Sequence, residues 1–295
     1  MKIATFNVNG VNGRLKNLLD WLEAREPDVV CLQELKAPKE KFPVAEIREA
    51  GYGAIWEGQS RWNGVAILAK RCDPVKTRRG LPGDPKDEQA RYIEAAVNGV
   101  VVGCLYLPNG NPEPGPKFEY KMQWLARLNA YAAELLASKE PVALVGDYNV
   151  IPTDFDVYKP ESWRDDALMH PDAQKAFHEL VAQGWTDAVR KLHPKERVYT
   201  FWDYWRNAWA RDAGLRIDHF LLSPSLATRL KSAKVDRGAR GREGASDHAP
   251  VWIELADKRA PARTSSPAKR AGAKTSPGKK ATTRRSAAKR KPRFR

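Results

Sequence analysis

Apolar positions along the chain alternate between two spacings. Leu15, Leu18, Leu19 and Leu22 recur at the helical period, as do Leu125, Leu128, Ala132 and Leu135, and a third helix is predicted over residues 173–183. Between them lie short apolar runs, at 65–69, 92–97 and 100–105, which predict strands. Five further runs share one design, an apolar segment with a carboxylate, an amide or a histidine at its edge. They are 3–10 (IATFNVNG), 28–34 (DVVCLQE), 142–149 (VALVGDYN), 215–222 (LRIDHFLL) and 246–255 (SDHAPVWIEL). The mixture predicts an α/β protein with much antiparallel sheet. A large pair of sheets needs helices on its outer faces, so the expected architecture is a four-layer α-β-β-α sandwich of two packed mixed sheets flanked by helices.

A polar group at the edge of a buried strand loses hydration unless it finds a partner. Five such edges from distant parts of the chain predict one converging site, built from Asn7, Glu34, Asp147, Asn149, Asp218, Asp247 and His248. Clustered carboxylates repel one another, so such a site is expected to hold a divalent cation. Oxygen ligands with few nitrogens and no thiolates favour a hard ion, Mg²⁺ or Mn²⁺. Asp147 and Asn149 stand two apart, which in an extended segment turns both toward one side. Asp218 and His219 are adjacent in a strand and face opposite ways, so His219 reads as structural. Asp247 and His248 fall in the loop before a strand, where both can turn inward.

Composition adds bounds rather than a fold. The 295 residues are 42% hydrophobic, enough for a substantial core. No apolar run approaches the roughly 20 residues needed to cross a bilayer. The start of the chain has neither a basic n-region nor a signal h-region, and Cys31, Cys72 and Cys104 are too scattered for a disulfide framework. The expected location is the cytoplasm, near the nucleoid, and the expected state is a monomer. The formal charge of +15 is unevenly placed. Residues 257–295 hold 15 of the 51 Lys/Arg and 1 of the 36 Asp/Glu, a net of +14, leaving +1 for residues 1–256. Residues 257–295 are therefore expected to be a disordered basic tail that attracts nucleic-acid backbone, attached to a catalytic domain at 1–256.

Taken in order, FNVNG, LQE, YLPNG, GDYN, RID and SDH resemble the exonuclease III family of bacterial AP endonucleases, within the endonuclease/exonuclease/phosphatase superfamily. The resemblance covers about residues 1–256, and the stretch at 198–224 (VYTFWDYWRNAWARDAGLRIDHFLLSP) narrows it to the AP-endonuclease branch. It implies a Mg²⁺-dependent nuclease that cleaves 5′ to abasic sites and trims 3′ ends of duplex DNA. By the same resemblance Glu34 is a principal metal ligand, with Asn7 and Asp247 beside it. Asp147 handles protons, Asn149 and Tyr106 contact the phosphate, and Asp218 orients a protonated His248. Asn109 would touch the DNA backbone, and Phe201, Leu215 and Ile217 would line a pocket for the flipped abasic sugar. The aromatic run at 201–209 (FWDYWRNAW), with its three tryptophans near Arg206 and Arg211, reads as a DNA-facing surface with Trp205 as its wedge. Two rivals remain: a phosphoinositide or sphingolipid phosphatase built on the same core, and a non-catalytic DNA-binding protein that works through its basic tail.

Overall fold

A computed structural model describes residues 1–257. The disorder and the backbone binding expected of the basic tail lie, from residue 258 on, outside the described residues. Among the described residues, twelve strands form two six-stranded sheets. In chain order they are β1 (Lys2–Asn7), β2 (Val29–Gln33), β3 (Tyr52–Glu57), β4 (Val65–Lys70), β5 (Val75–Arg79), β6 (Tyr92–Val97), β7 (Val100–Tyr106), β8 (Val142–Asp147), β9 (Thr186–Asp187), β10 (Asp218–Leu222), β11 (Leu230–Val235) and β12 (Val251–Leu255). The strand orders are β11-β12-β1-β2-β4-β3 and β5-β6-β7-β8-β10-β9. The helices that cover the sheets are α1 (Leu15–Arg25), α2 (Val44–Glu49), α3 (Pro116–Ala137) and α4 (Pro171–Ala182).

The central strands read as unbroken apolar runs because both of their faces are buried. On β2, Val29 and Cys31 point into the core between the sheets, beside Ile67, Cys104, Val145 and Phe220. Val30 and Leu32 point the other way, against Leu18 and Leu22 of α1 and Ile47 of α2. On β8, Ala143 and Val145 face the same central core, while Val142 and Leu144 meet Trp124, Leu125 and Leu128 of α3 and Phe177 and Leu180 of α4. The layers are therefore helix, sheet, sheet, helix, as the patterning predicts. Four strands were not legible in that patterning: β3, β5, β11 and the two-residue β9. β5 is exposed along its whole length and β11 is fully buried at Ala233 alone, and both sit at sheet edges, where charged residues replace the apolar alternation. β3 pairs with β4, and its central positions are only half-buried.

The sheets share a plan that gathers polar ends in one place. Each has one parallel pair, β1 with β2 and β7 with β8, so these four strands finish at the same end of the sandwich. An antiparallel neighbour starts there in each sheet: β12 beside β1, and β10 beside β8. Polar residues that close β1, β2, β7 and β8, or that open β10 and β12, consequently meet.

The start of β10 is anchored from below. Arg216, 1% exposed, donates from Nε to Asp156 Oδ1 at 2.7 Å and from Nη1 to Asp187 Oδ2 at 2.7 Å. Its Nη1 also meets His219 Nδ1 at 3.0 Å, and His219 Nε2 donates to the Val150 carbonyl at 3.0 Å. Burial, reinforced by the Arg216 charge, pulls the His219 pKa down to about 4, so the ring is neutral. Burial alone would raise the Asp156 pKa, but the Arg216 guanidinium outweighs it and holds the group at about 2. A carboxylate depressed in the folded state stabilises it above the unfolded pKa, near 4, and that contribution disappears as pH falls through about 2. Asp156→Asn should therefore cost about 2 kcal/mol at pH 7. Its urea midpoint should also decline less steeply than the wild type's between pH 4 and pH 2.5; parallel declines would show that Asp156 carries no such linkage.

Candidate active site

Glu34 follows the last residue of β2 with φ of 52°, a left-handed turn that swings its carboxylate across the strand ends. Three donors reach it: Asn7 Nδ2 at 2.9 Å, Tyr106 Oη at 2.9 Å and Lys36 Nζ at 2.7 Å. Burial works against its ionised form, but Lys36 and Asn7 more than compensate and hold its pKa below the ordinary value. Asn7 also donates to Asp147 Oδ2 at 3.0 Å, so one amide clamps the carboxylates of two sheets together. The sequence reading placed Asn7 as a metal neighbour. Its N–H groups, not its oxygen, face the two carboxylates.

Asp147 closes β8 and Asp218 opens β10, and the register sets them directly opposite each other. Two carboxylates so placed repel. His248, carried by the loop before β12 in the other sheet, relieves this: Nδ1 donates to Asp218 Oδ2 at 2.9 Å, and Nε2 lies 3.8 Å from Asp147 Oδ2. Burial would lower the His248 pKa, but the Asp218 charge and hydrogen bond raise it to about 10. Burial raises Asp147 to about 7; His248 opposes this, while the Asp218 and Glu34 carboxylates add to it. The backbone leading to Asp147 is equally constrained. At Gly146, φ is +154°, and a Cβ there would lie 1.9 Å from the Leu105 carbonyl oxygen on β7.

Asn149 lies beyond the end of β8, with φ of 47°, so strand alternation does not bring it to the side of Asp147. A turn does so: Asn149 N donates to Asp147 Oδ1 at 2.9 Å. Its side chain donates to the Leu107 carbonyl at 2.9 Å and accepts from Asn109 Nδ2 at 3.3 Å. Asn109 thus abuts the site through Asn149. Tyr106 ends β7, and burial together with the Glu34 and Asp147 charges raises its pKa, so its hydroxyl stays protonated at neutral pH.

A divalent ion has two candidate settings. Asp147, Asp218 and His248 offer ligand atoms within 4.8 Å of one another. A doubly protonated imidazole has no lone pair to give, however, and His248 already serves as the cation there. The oxygens around Glu34 form the better set. Lys36 Nζ bridges Glu34 Oε2 and Asn9 Oδ1 at 2.7 and 2.6 Å, and Asn9 Nδ2 donates to Asp247 Oδ1 at 3.0 Å. A positive charge thus already draws these oxygens together, and the donors Glu34, Asp247 and the Asn9 amide suit a hard cation. Sequence reading missed Asn9 and Lys36. The signals were present, since NVNG carries a second asparagine two residues after Asn7 and a lysine follows Glu34 by two.

The DNA-facing expectations divide. Leu215 and Ile217 are buried in an apolar cluster with Ile151, Val157, Leu168 and Met169, and half-buried Phe201 packs on its edge. The Phe201 ring lies 5.0 Å from that of His248. Leu215 and Ile217 are thus interior side chains, and Phe201 joins their cluster to His248. The three tryptophans do not form one surface. Trp202 is fully buried, donating to Asp212 Oδ1 at 2.9 Å, and Trp209 packs edge-on against it. Trp205 is the exposed one of the three, at 75%.

The Endonuclease/Exonuclease/phosphatase family matches residues 4–248. Exodeoxyribonuclease III from Haemophilus influenzae is 33% identical, over 86% of this chain and all of its own length. A 3′ phosphatase from Neisseria, solved with a product DNA hairpin, is 40% identical with a TM-score of 0.83, covering 86% of this chain and 99% of that one. An AP endonuclease from Archaeoglobus fulgidus is 38% identical with a TM-score of 0.83 and the same coverage. Matches of this extent account for the strand-end chemistry: the chain belongs to the Endonuclease/Exonuclease/phosphatase family and is a phosphodiester-hydrolysing nuclease of its exonuclease III type.

Proposed function

We propose that the protein cuts the DNA backbone 5′ to abasic sites and removes nucleotides or blocking groups from 3′ ends of duplex DNA, with Mg²⁺ as the working ion and Mn²⁺ as a substitute. The observation that supports this most is the meeting of Glu34, Asp147, Asp218 and His248 from both sheets at one end of the sandwich. The relatives' names divide among exodeoxyribonuclease, AP endonuclease and 3′ phosphatase, activities that share one attacked atom, phosphorus.

The family is divalent-metal dependent. Glu34, Asp247 and the Asn9 amide would hold the ion, which would supply charge neutralisation at the scissile phosphate. The His248 imidazolium donates to a phosphate oxygen as negative charge builds on it. Asp147, with its pKa raised to about 7, can take a proton from the attacking water or return one to the leaving oxygen at neutral pH. The second N–H of Asn149 is a further donor for the same phosphate, and the Tyr106 hydroxyl, which donates to Glu34 here, would turn to that phosphate once substrate is bound. Leu215 and Ile217 floor the recess for a sugar that has no base to unstack, Phe201 walls it, and Trp205 enters the duplex. Residues 257–295 supply non-specific phosphate attraction to a monomeric enzyme in the cytoplasm. A lipid-headgroup phosphatase would use the same core, but exposed Trp205 beside Arg206 and Arg211 suits a duplex better.

A substrate panel tests the reading. Abasic duplex, 3′-phosphate duplex, a recessed end and an RNA hybrid are each supplied with Mg²⁺, with and without chelator, beside an inositol phosphate. Abasic and 3′-blocked duplexes should be turned over, chelator should stop turnover, and Glu34→Gln and Asp147→Asn should each lower kcat by about 10³-fold. An uncut abasic duplex, or faster turnover of the inositol phosphate, would defeat the proposal.

The charge on His248 gives a pH test. A cation is lost as pH rises through its pKa, so activity that needs the imidazolium persists through neutrality and falls toward pH 10. In Asp218→Asn, burial is no longer offset by that carboxylate, and the alkaline limb of kcat should move to lower pH by more than one unit. An unmoved limb would show that Asp218 does not set the charge of His248.

A further inference from the structure

One buried cation has no part in the chemistry described above. Lys121 lies on α3, and its position extends the inward stripe of Trp124, Leu125, Leu128 and Ala132 back toward the helix start. Its side chain is fully buried. Its Nζ donates to three backbone carbonyls: Asn109 at 3.0 Å, Asn149 at 2.7 Å and Ala167 at 2.8 Å. An ammonium carries three N–H donors, so the three carbonyls use all of them. Among the described residues, no carboxylate oxygen pairs with it. Burial pulls its pKa down to about 7, against the raising influence of Asp166, Asp147 and Glu113.

The three carbonyls belong to different loops, following β7, following β8 and preceding α4. The first two loops carry Asn109 and Asn149, which join through Asn109 Nδ2 and Asn149 Oδ1 at 3.3 Å. The same loops are joined again where Asn149 Nδ2 donates to the Leu107 carbonyl at 2.9 Å. Gly110, with φ of +96°, lies against the lysine stem, where an added Cβ would sit 2.6 Å from Lys121 Cδ. The loop after β7 is thus seated on the stem, and both asparagine carbonyls are held by its head. Burying an ammonium against neutral carbonyls is costly, and an apolar residue would fill the same stripe position more cheaply.

We infer that Lys121 is a positioning residue for catalysis, fixing the Asn109–Asn149 pair from behind so that the Asn149 amide stays aimed at the scissile phosphate. It touches no substrate, and its effect passes through the backbone of Asn149. The inference rests on the nuclease reading of the site given above.

A double-mutant cycle tests it, using the full chain with Mg²⁺ and an abasic duplex, at a temperature where melting shows every variant folded. Lys121→Met keeps the length and apolar stem and removes the donors. It should lower kcat by about 100-fold with KM within about threefold of wild type. In an Asn149→Ala background, Lys121→Met should cost less than about threefold further, because the residue it positions is gone. Losses that multiply, an unchanged kcat, or a loss matching only the unfolded fraction would each overturn the inference. If Lys121→Met does not fold, Lys121→Gln, with two N–H donors, carries the same cycle. A chain that folds with neither would mark the lysine as purely structural and would also overturn it. An inactive wild type would instead sink the nuclease reading itself, which keeps the two failures distinct.

Discussion

Two carboxylates from neighbouring strands face each other at the head of one sheet, and the group that makes this tolerable comes from the other sheet. Asp147 and Asp218 are register partners on β8 and β10, and His248 reaches them from the approach to β12. A positive charge between them is what lets buried acids share so small a space. Separating the sheets would remove it. The packing of the sandwich and the electrostatics of the site are therefore one constraint, with Asn7 adding a second bridge from β1 to Asp147.

The topology explains why that meeting happens once. Each sheet places a parallel pair at its centre and an antiparallel strand beside it. The ends of β1, β2, β7 and β8 and the starts of β10 and β12 are therefore among the strand termini that share one rim, and polar side chains there can leave the apolar interior without leaving the fold. Beneath the rim, Arg216 ties Asp156, Asp187 and His219 into a network that holds the entrance of β10. That arginine sits two residues from Asp218 and has no access to a substrate, yet it decides where Asp218 can be.

Much of this was legible in the sequence, for identifiable reasons. Strands buried on both faces print continuous apolar runs, so β1, β2 and β8 were read with small boundary errors, and their polar ends gave Asn7, Glu34 and Asp147. Edge strands leave no such print, and the four at the sheet edges, β3, β5, β9 and β11, were missed. Side chains that act through short local bonds were harder still. Asn9 and Lys36 lie two residues from positions that were read, but only coordinates show Lys36 bridging Glu34 and Asn9. Trp202 erred in the other direction: a dense aromatic run reads as surface, whereas one of its rings is wholly interior. Lys121 stood on an apolar stripe in plain view, and its meaning depends on carbonyls contributed by three loops.

Gly146 separates two kinds of sequence signal within four letters of GDYN. The β7 backbone leaves no room for a side chain at that position, whatever reaction the neighbouring residue performs. A descendant that had abandoned hydrolysis but kept this ladder would still need the glycine and would be free to exchange the aspartate. When homologous chains are sorted into enzymes and retired scaffolds, the glycine is therefore uninformative, and the residue immediately after it is the one to read.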